Sequence, residues 1–220
     1  MGDAARTAFP RCRAAGLLAA ALLQAVPASA ADRRPVVLIE TSLGIIRARI
    51  ETARAPVTAC NFLRYMQAGH FDGGSFFRTV RSDHPIHNPV PIDVVQMQAR
   101  EGPEFAAFQP IAMERTSATG LRHLAGALSM ARDAPDTATS SWSIVVRNSP
   151  EMDFGGRRNP DGQGFAVFGR VVGGMKVVRA IHRAPADGEQ LRMPVVIRRI
   201  TLDQPRRGAL DRLMRRCSLQ

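Results

Sequence analysis

The sequence predicts a mainly β domain, an antiparallel sheet closed into a barrel or a sandwich with two helices over its open ends. Three observations carry that prediction. Short runs of β-branched or alternating residues recur along the chain, only two stretches have helical period, and no internal repeat is visible. One of the strands, Ser75-Phe76-Phe77-Arg78-Thr79-Val80, holds an arginine among apolar neighbours. An unpartnered buried guanidinium is costly, so Arg78 is expected to point outward, to be paired, or to be used.

Residues 1–30 read as a secretory signal peptide. Arg6, Arg11 and Arg13 precede an apolar run from Ala14 to Val26, and Pro27-Ala28-Ser29-Ala30 ends in a small-x-small pattern. The run is shorter than the roughly 20 residues a transmembrane helix needs. Cleavage near Ala30/Ala31 and a periplasmic destination are therefore expected, in preference to an uncleaved anchor or stable membrane insertion. About 190 residues remain, one domain by size and enough to bury a core unaided. The whole chain carries a net charge of +11, and the three arginines and one aspartate of the first thirty residues leave +9. Lys176 is the only lysine. A basic surface attracts nucleic acid or anionic lipid, but no aromatic-interleaved basic motif accompanies it, and nucleic acid is not an expected partner.

The elements follow in order. Val36 to Glu40 and Ile45 to Ile50 are strands around a Thr41-Ser42-Leu43-Gly44 turn. Ala55 to Met66 is the first helix: Pro56 suits its first turn, Val57, Cys60, Phe62, Leu63 and Met66 form an apolar stripe, and Gly69 closes it. The Ser75 strand comes after the Phe71–Gly74 turn. Arg81 to Pro91 is a proline-rich loop whose His84 and His87 lack a scaffold, so no metal site is expected there. Val94, Val95 and Met97 around Gln96 form a short strand, and Glu101 to Leu121 is weakly patterned. Gly126 to Ala131 is an apolar run, and Ser141 to Val146 alternates polar and apolar. Arg157 to Gln163 is a charged excursion before the Phe165–Val172 strand. A second helix runs from Met175 to about His182, and Pro194 to Leu202 is the closing strand. Residues 204–220 are a basic tail, loosely docked, with a short helical pattern around Leu210, Leu213 and Met214. Cys60 and Cys217 either bond to each other in an oxidising compartment or stay independent thiols.

In this order the motifs resemble the cyclophilin-type peptidyl-prolyl cis-trans isomerases, in their exported bacterial form. The resemblance rests on Thr41-Ser42-Leu43-Gly44, Ala55 to Phe62, Gly69-His70-Phe71-Asp72-Gly73, Phe76 to Val80, Gly126 to Arg132, Ala138-Thr139-Ser140-Ser141, and Gly164 to Val171. It covers residues 36–202 of a domain spanning 31–203. It implies a closed eight-stranded antiparallel β-barrel capped by two α-helices, X-Pro-containing polypeptides as substrates, no cofactor, and a monomer. Arg78 and Gln96 match the catalytic arginine and the substrate-holding glutamine. Phe76, Met130, Ala131, Arg132, Ser141, Ser143, Met152 and Phe165 match the substrate groove.

The chain departs from the family pattern at several positions. Asp93 and Val94 replace an aromatic and a methionine, Ser143 stands at the pocket-floor phenylalanine, Glu151 replaces an aromatic, and Phe165 holds the pocket-wall histidine position. Two readings follow: an isomerase assisting the folding of exported proteins, or a cyclophilin-like peptide-binding or chaperone domain with weak or no isomerase activity.

Overall fold

The computed structural model describes residues 1–2, 34–84, 88–203 and 208–217. The expected signal peptide and His87 lie outside these residues. Arg34 to Gln220 form one compact unit. Nine strands make one antiparallel sheet: β1 (Val36–Thr41), β2 (Gly44–Ile50), β3 (Ser75–Val80), β4 (Val94–Gln98), β5 (Ala127–Met130), β6 (Trp142–Val145), β7 (Val167–Gly173), β8 (Ala186–Asp187) and β9 (Gln190–Leu202). Their order is β1-β2-β7-β5-β6-β4-β3-β9-β8, and β1 also pairs with β9. That last pairing closes eight strands into a barrel with no free edge. The two-residue β8 is a hairpin extension on β9.

Two helices of helical period cover the barrel, as expected: α1 (Pro56–Gln67) and α3 (Met175–Arg183). Between them lies α2 (Thr116–Thr119), a single turn. The start of α1 has no side-chain cap of its own. Glu114 supplies one from a distance, accepting bonds from the backbone of Val57 (3.1 Å) and Thr58 (2.8 Å). A carboxylate there also complements the helix dipole. Gly174 precedes α3 at φ 86, and a Cβ on it would sit 2.4 Å from the Ile45 carbonyl. Only glycine fits that crossing.

Along each strand alternate residues face inward. The core is centred on Trp142, fully buried, whose ring meets Phe62, Phe71, Phe76 and Phe168 edge-on at 5.7–6.4 Å. Such geometry suits aromatic quadrupoles. Phe62 and Leu63 of α1 and Val177, Val178 and Ile181 of α3 complete the packing.

Two expectations are corrected. The closing strand begins at Gln190, not Pro194. Pro194, which has no N–H to donate, sits between Gln190 and Val195, where the register of β9 on β3 is interrupted. The basic tail is not a loose appendage either. It forms α4 (Ala209–Cys217), whose Leu210, Leu213 and Met214 lie against the core. Cys217 is disulfide-bonded to Cys60 of α1, with a Cα–Cα distance of 5.4 Å. Linking positions 157 residues apart removes much unfolded-state freedom, about 5 kcal/mol in the chain-entropy account.

Candidate active site

The site grows from one row of side chains across four strands. Arg78 of β3 pairs in register with Gln96 of β4, Gln96 with Ser143 of β6, and Ser143 with Ser129 of β5. Paired residues share a face, so all four point the same way. The neighbouring row, Thr79, Val95, Ile144 and Leu128, points into the core.

A bulge makes this possible. On β3 the register shifts between Phe76 and Arg78, leaving Phe77 as the extra residue. Strict alternation would aim Phe76 and Arg78 to the same side. The bulge separates them, and Arg78 is turned out of the barrel. Phe76, expected in the groove, is thus wholly buried against Trp142 and does not line it.

Arg78 is held on both sides. Its Nε and Nη2 donate to Glu189 Oε2 at 2.8 and 2.5 Å, and its Nη1 donates to Gln96 Oε1 at 2.9 Å. The Glu189 side chain is 5% exposed and that of Arg78 29%. Glu189 belongs to the turn between β8 and β9, tied down by the Thr79 N–H donating to its carbonyl at 2.8 Å. Gln96 Nε2 donates in turn to Ser141 Oγ (3.2 Å), whose hydroxyl donates to the Met97 carbonyl (2.7 Å). The chain of bonds fixes the amide orientation. It leaves one N–H on each of Arg78 Nη1, Arg78 Nη2 and Gln96 Nε2 for a ligand.

The far end of the row is fixed by buried His123. Its Nδ1 lies 2.7 Å from Asp153 Oδ1 and its Nε2 2.9 Å from Ser129 Oγ. Burial pushes the Asp153 carboxyl up, but the hydrogen bonds and charge of His123, with Arg122, outweigh it and hold the group below the usual carboxylate range.

These residues open onto a cavity of about 440 Å³. Met130, Ala131, Arg132, Ser141, Ser143, Met152 and Phe165 all line it, together with Arg78 and Gln96. Arg132 is committed to structure. It donates to the Gly164 carbonyl (2.8 Å), makes a two-pronged pair with Asp161 at 2.8 and 3.0 Å, and lies over the Phe165 ring. Two polar replacements expected in the wall are absent from it. Asp93 faces the other way, bound by Arg147 and by the Ser82 backbone, and Glu151 pairs with Arg157. The apolar lining comes from Val80, Ile92, Val94, Met130, Met152 and Phe165. It is largely aliphatic.

The sequence reading missed Glu189, Ile92 and Arg158. Asp187-Gly188 signals a tight turn, yet nothing local shows that the next residue meets Arg78 from 111 positions away. Ile92 reads as loop, and Arg158 looks the same in sequence as its exposed neighbour Arg157.

Comparisons with known proteins place the chain in a family. The family model described as cyclophilin type peptidyl-prolyl cis-trans isomerase matches residues 36–202. Peptidyl-prolyl cis-trans isomerase A of Dickeya dadantii is 33% identical over 162 residues, 73% of this chain and 78% of the relative. Peptidyl-prolyl cis-trans isomerase B of Escherichia coli is 31% identical over 147 residues, 66% of this chain and 83% of that one. A solved Cryptosporidium parvum cyclophilin type isomerase superposes with a TM-score of 0.61 at 16% identity, covering 79% of this chain and 99% of its own. The same protein solved in the presence of the dipeptide Ala-Pro gives 0.60 at 17% identity, over 77% and 99%. The chain belongs to the cyclophilin-type peptidyl-prolyl cis-trans isomerase family.

Proposed function

We propose that this chain accelerates rotation about X-Pro peptide bonds in exported polypeptides, with Arg78 as the catalytic donor and Gln96 as the substrate clamp. Resonance sets the rotation barrier at about 18–20 kcal/mol. Twisting the amide breaks that resonance and leaves a lone pair on the proline nitrogen. A fixed cationic donor meets that lone pair only in the twisted state, so it lowers the barrier without merely tightening binding. Arg78 has the required features: two anchored edges and two unused N–H groups. The remaining Gln96 N–H is placed to take a substrate carbonyl, and the aliphatic wall receives the proline ring.

The observation that carries the reading is the Arg78–Gln96 bond of 2.9 Å on a row that opens into one cavity with Met130 and Met152. A relative studied with Ala-Pro supports a proline-containing ligand. Residues 1–30 support export, and slow X-Pro isomerisation, taking tens to hundreds of seconds, gives such a catalyst a purpose in folding. Cell fractionation tests the export reading, which requires a shortened chain beginning at Ala31 in the periplasmic fraction.

A coupled assay on a proline tetrapeptide, wild type against Arg78→Ala, tests the activity. The wild type should exceed the uncatalysed rate and the variant should fall on the order of 100-fold or more in kcat/KM. Equal rates at background would sink the isomerase reading. The polar Ser143 at the cavity floor favours a second reading, peptide binding with weak turnover. Background rates with retained peptide affinity would establish that one.

A further inference from the structure

Three arginines line the cavity, and two have their charge answered. Arg78 meets Glu189 and Arg132 meets Asp161. Arg158 is different. It is 8% exposed, yet among the described residues no carboxylate lies within ion-pair distance of it. Its one guanidinium bond runs from Nη1 to the Val90 carbonyl at 2.7 Å. Its neighbour Arg157 has its side chain 78% exposed and nevertheless pairs with Glu151. The chain therefore leaves exposed Arg157 paired and buried Arg158 unpaired.

The position is built. A backbone bond from Arg158 N to the Glu151 carbonyl (2.9 Å) and a side-chain bond from Asn88 Nδ2 to the Arg158 carbonyl (2.8 Å) fix the residue on both sides. A Cβ on Gly164, at φ 67, would lie 2.6 Å from the Asp153 backbone, so the loop carrying Arg158 packs too tightly there for another residue. Burial pushes the guanidinium below its usual range; the Glu189 carboxylate opposes that shift and the Arg78 cation adds to it. Taking a cation out of water with no carboxylate in contact is costly. Arg158 lines the cavity together with polar Ser143, Asn88 and Asn159. The one acid on that lining, Asp133, is exposed and bonds through its backbone to Thr137.

We propose that Arg158 makes this groove selective for carboxylate-bearing proline peptides: an acidic side chain flanking the proline, or the terminal carboxylate of a chain ending in proline. A guanidinium fork recognises a carboxylate through two parallel bonds, and the ligand supplies the charge the fold omits. This rests on the groove being the peptide site. It adds a specificity that the rotation chemistry itself does not require.

The test uses the mature, disulfide-bonded chain and two matched peptide pairs: Glu against Gln beside the proline, and a C-terminal proline as free acid against carboxamide. Affinity is read by calorimetry and turnover by the coupled assay, both at low salt. Wild type should favour the carboxylate member of at least one pair by about tenfold, equal to about 1.4 kcal/mol. The pair that discriminates identifies the source of the carboxylate. Arg158→Met should bring the ratio within about twofold, and Arg158→Lys should keep part of it. A role confined to tethering the Val90 loop would weaken both members of a pair equally. Equal affinities in wild type overturn the proposal, as does a preference that survives in Arg158→Met. Carboxylate-selective binding without turnover would remove the isomerase reading and leave this one standing.

Discussion

Strands β4 and β6 present two faces with opposite chemistry. Inward, Met97 and Trp142 join a cluster of rings in which no side chain carries a charge. Outward, one residue away, Gln96 and Ser143 join Arg78 and Ser129 in a row of polar groups. The difference teaches that register is the site's main structural determinant. A slip of one residue would bury Gln96 and expose Trp142, so the core that fixes the fold also fixes where the polar row points.

The inner face should yield the largest effect. Trp142→Ala removes the ring that four others meet, and should cost about 3–5 kcal/mol, read as a lower denaturation midpoint. Kinetics of the folded fraction sharpen the comparison. If kcat/KM per folded molecule stays within a few-fold, core and row are separable. If it collapses with full folding retained, register depends on that ring.

The outer face should respond in activity. Glu189→Gln keeps the size and an acceptor but drops the charge that holds the Nε–Nη2 edge of Arg78. The expected loss is about tenfold to a hundredfold in kcat/KM, since small misplacements of a catalytic group cost that much. An unchanged kcat/KM would mean that the bulge and Gln96 alone aim the guanidinium.

Much of this was legible in the chain. Strand β3 was bounded at Ser75 and Val80 because Phe76, Thr79 and Val80 suit a pleated surface. Arg78, Gln96 and Met130 stood out through motif order. The bulge was not legible, because alternation predicts a face from sequence distance and one inserted residue reverses it; Phe76 was misassigned for that reason. Glu189 and Arg158 were missed because their roles come from tertiary burial. Asp93 reads as a groove-wall position because sequence alone does not say which way the residue just before β4 turns. The disulfide is not legible in sequence because it depends on α4 packing beside α1, a tertiary contact.

Ser143→Phe tests whether the aliphatic lining limits binding. An aromatic at the cavity floor should strengthen proline binding by about 1 kcal/mol, a roughly fivefold lower KM for a neutral X-Pro peptide. A higher KM would show that the ring obstructs the polar wall near Arg158, and that this cavity gains more from polar recognition than from stacking.

The smallest effect concerns a group off the row. His182 of α3 has its side chain 13% exposed, with Nε2 3.0 Å from the Val80 carbonyl and 3.3 Å from Asp93 Oδ1. Burial holds its pKa below the usual histidine value. The Val80 carbonyl, Asp93 and Asp83 oppose that shift, and Arg81 adds to it. The unfolded chain therefore binds this proton more readily than the folded one. Stability contributed here is present above the unfolded pKa of about 6.5 and is lost as pH falls below it. Asp153, with its pKa depressed, loses its contribution only in the more acidic range, as pH falls below the ordinary carboxylate value through its own. Thermal melts of wild type and His182→Gln should differ in slope between pH 7 and about 5.5 and run parallel above pH 7. Parallel curves throughout would mean that Asp93 compensates the buried imidazolium. Since His182 does not line the cavity of Arg78 and Gln96, kcat/KM measured on fully folded protein should not follow the same titration.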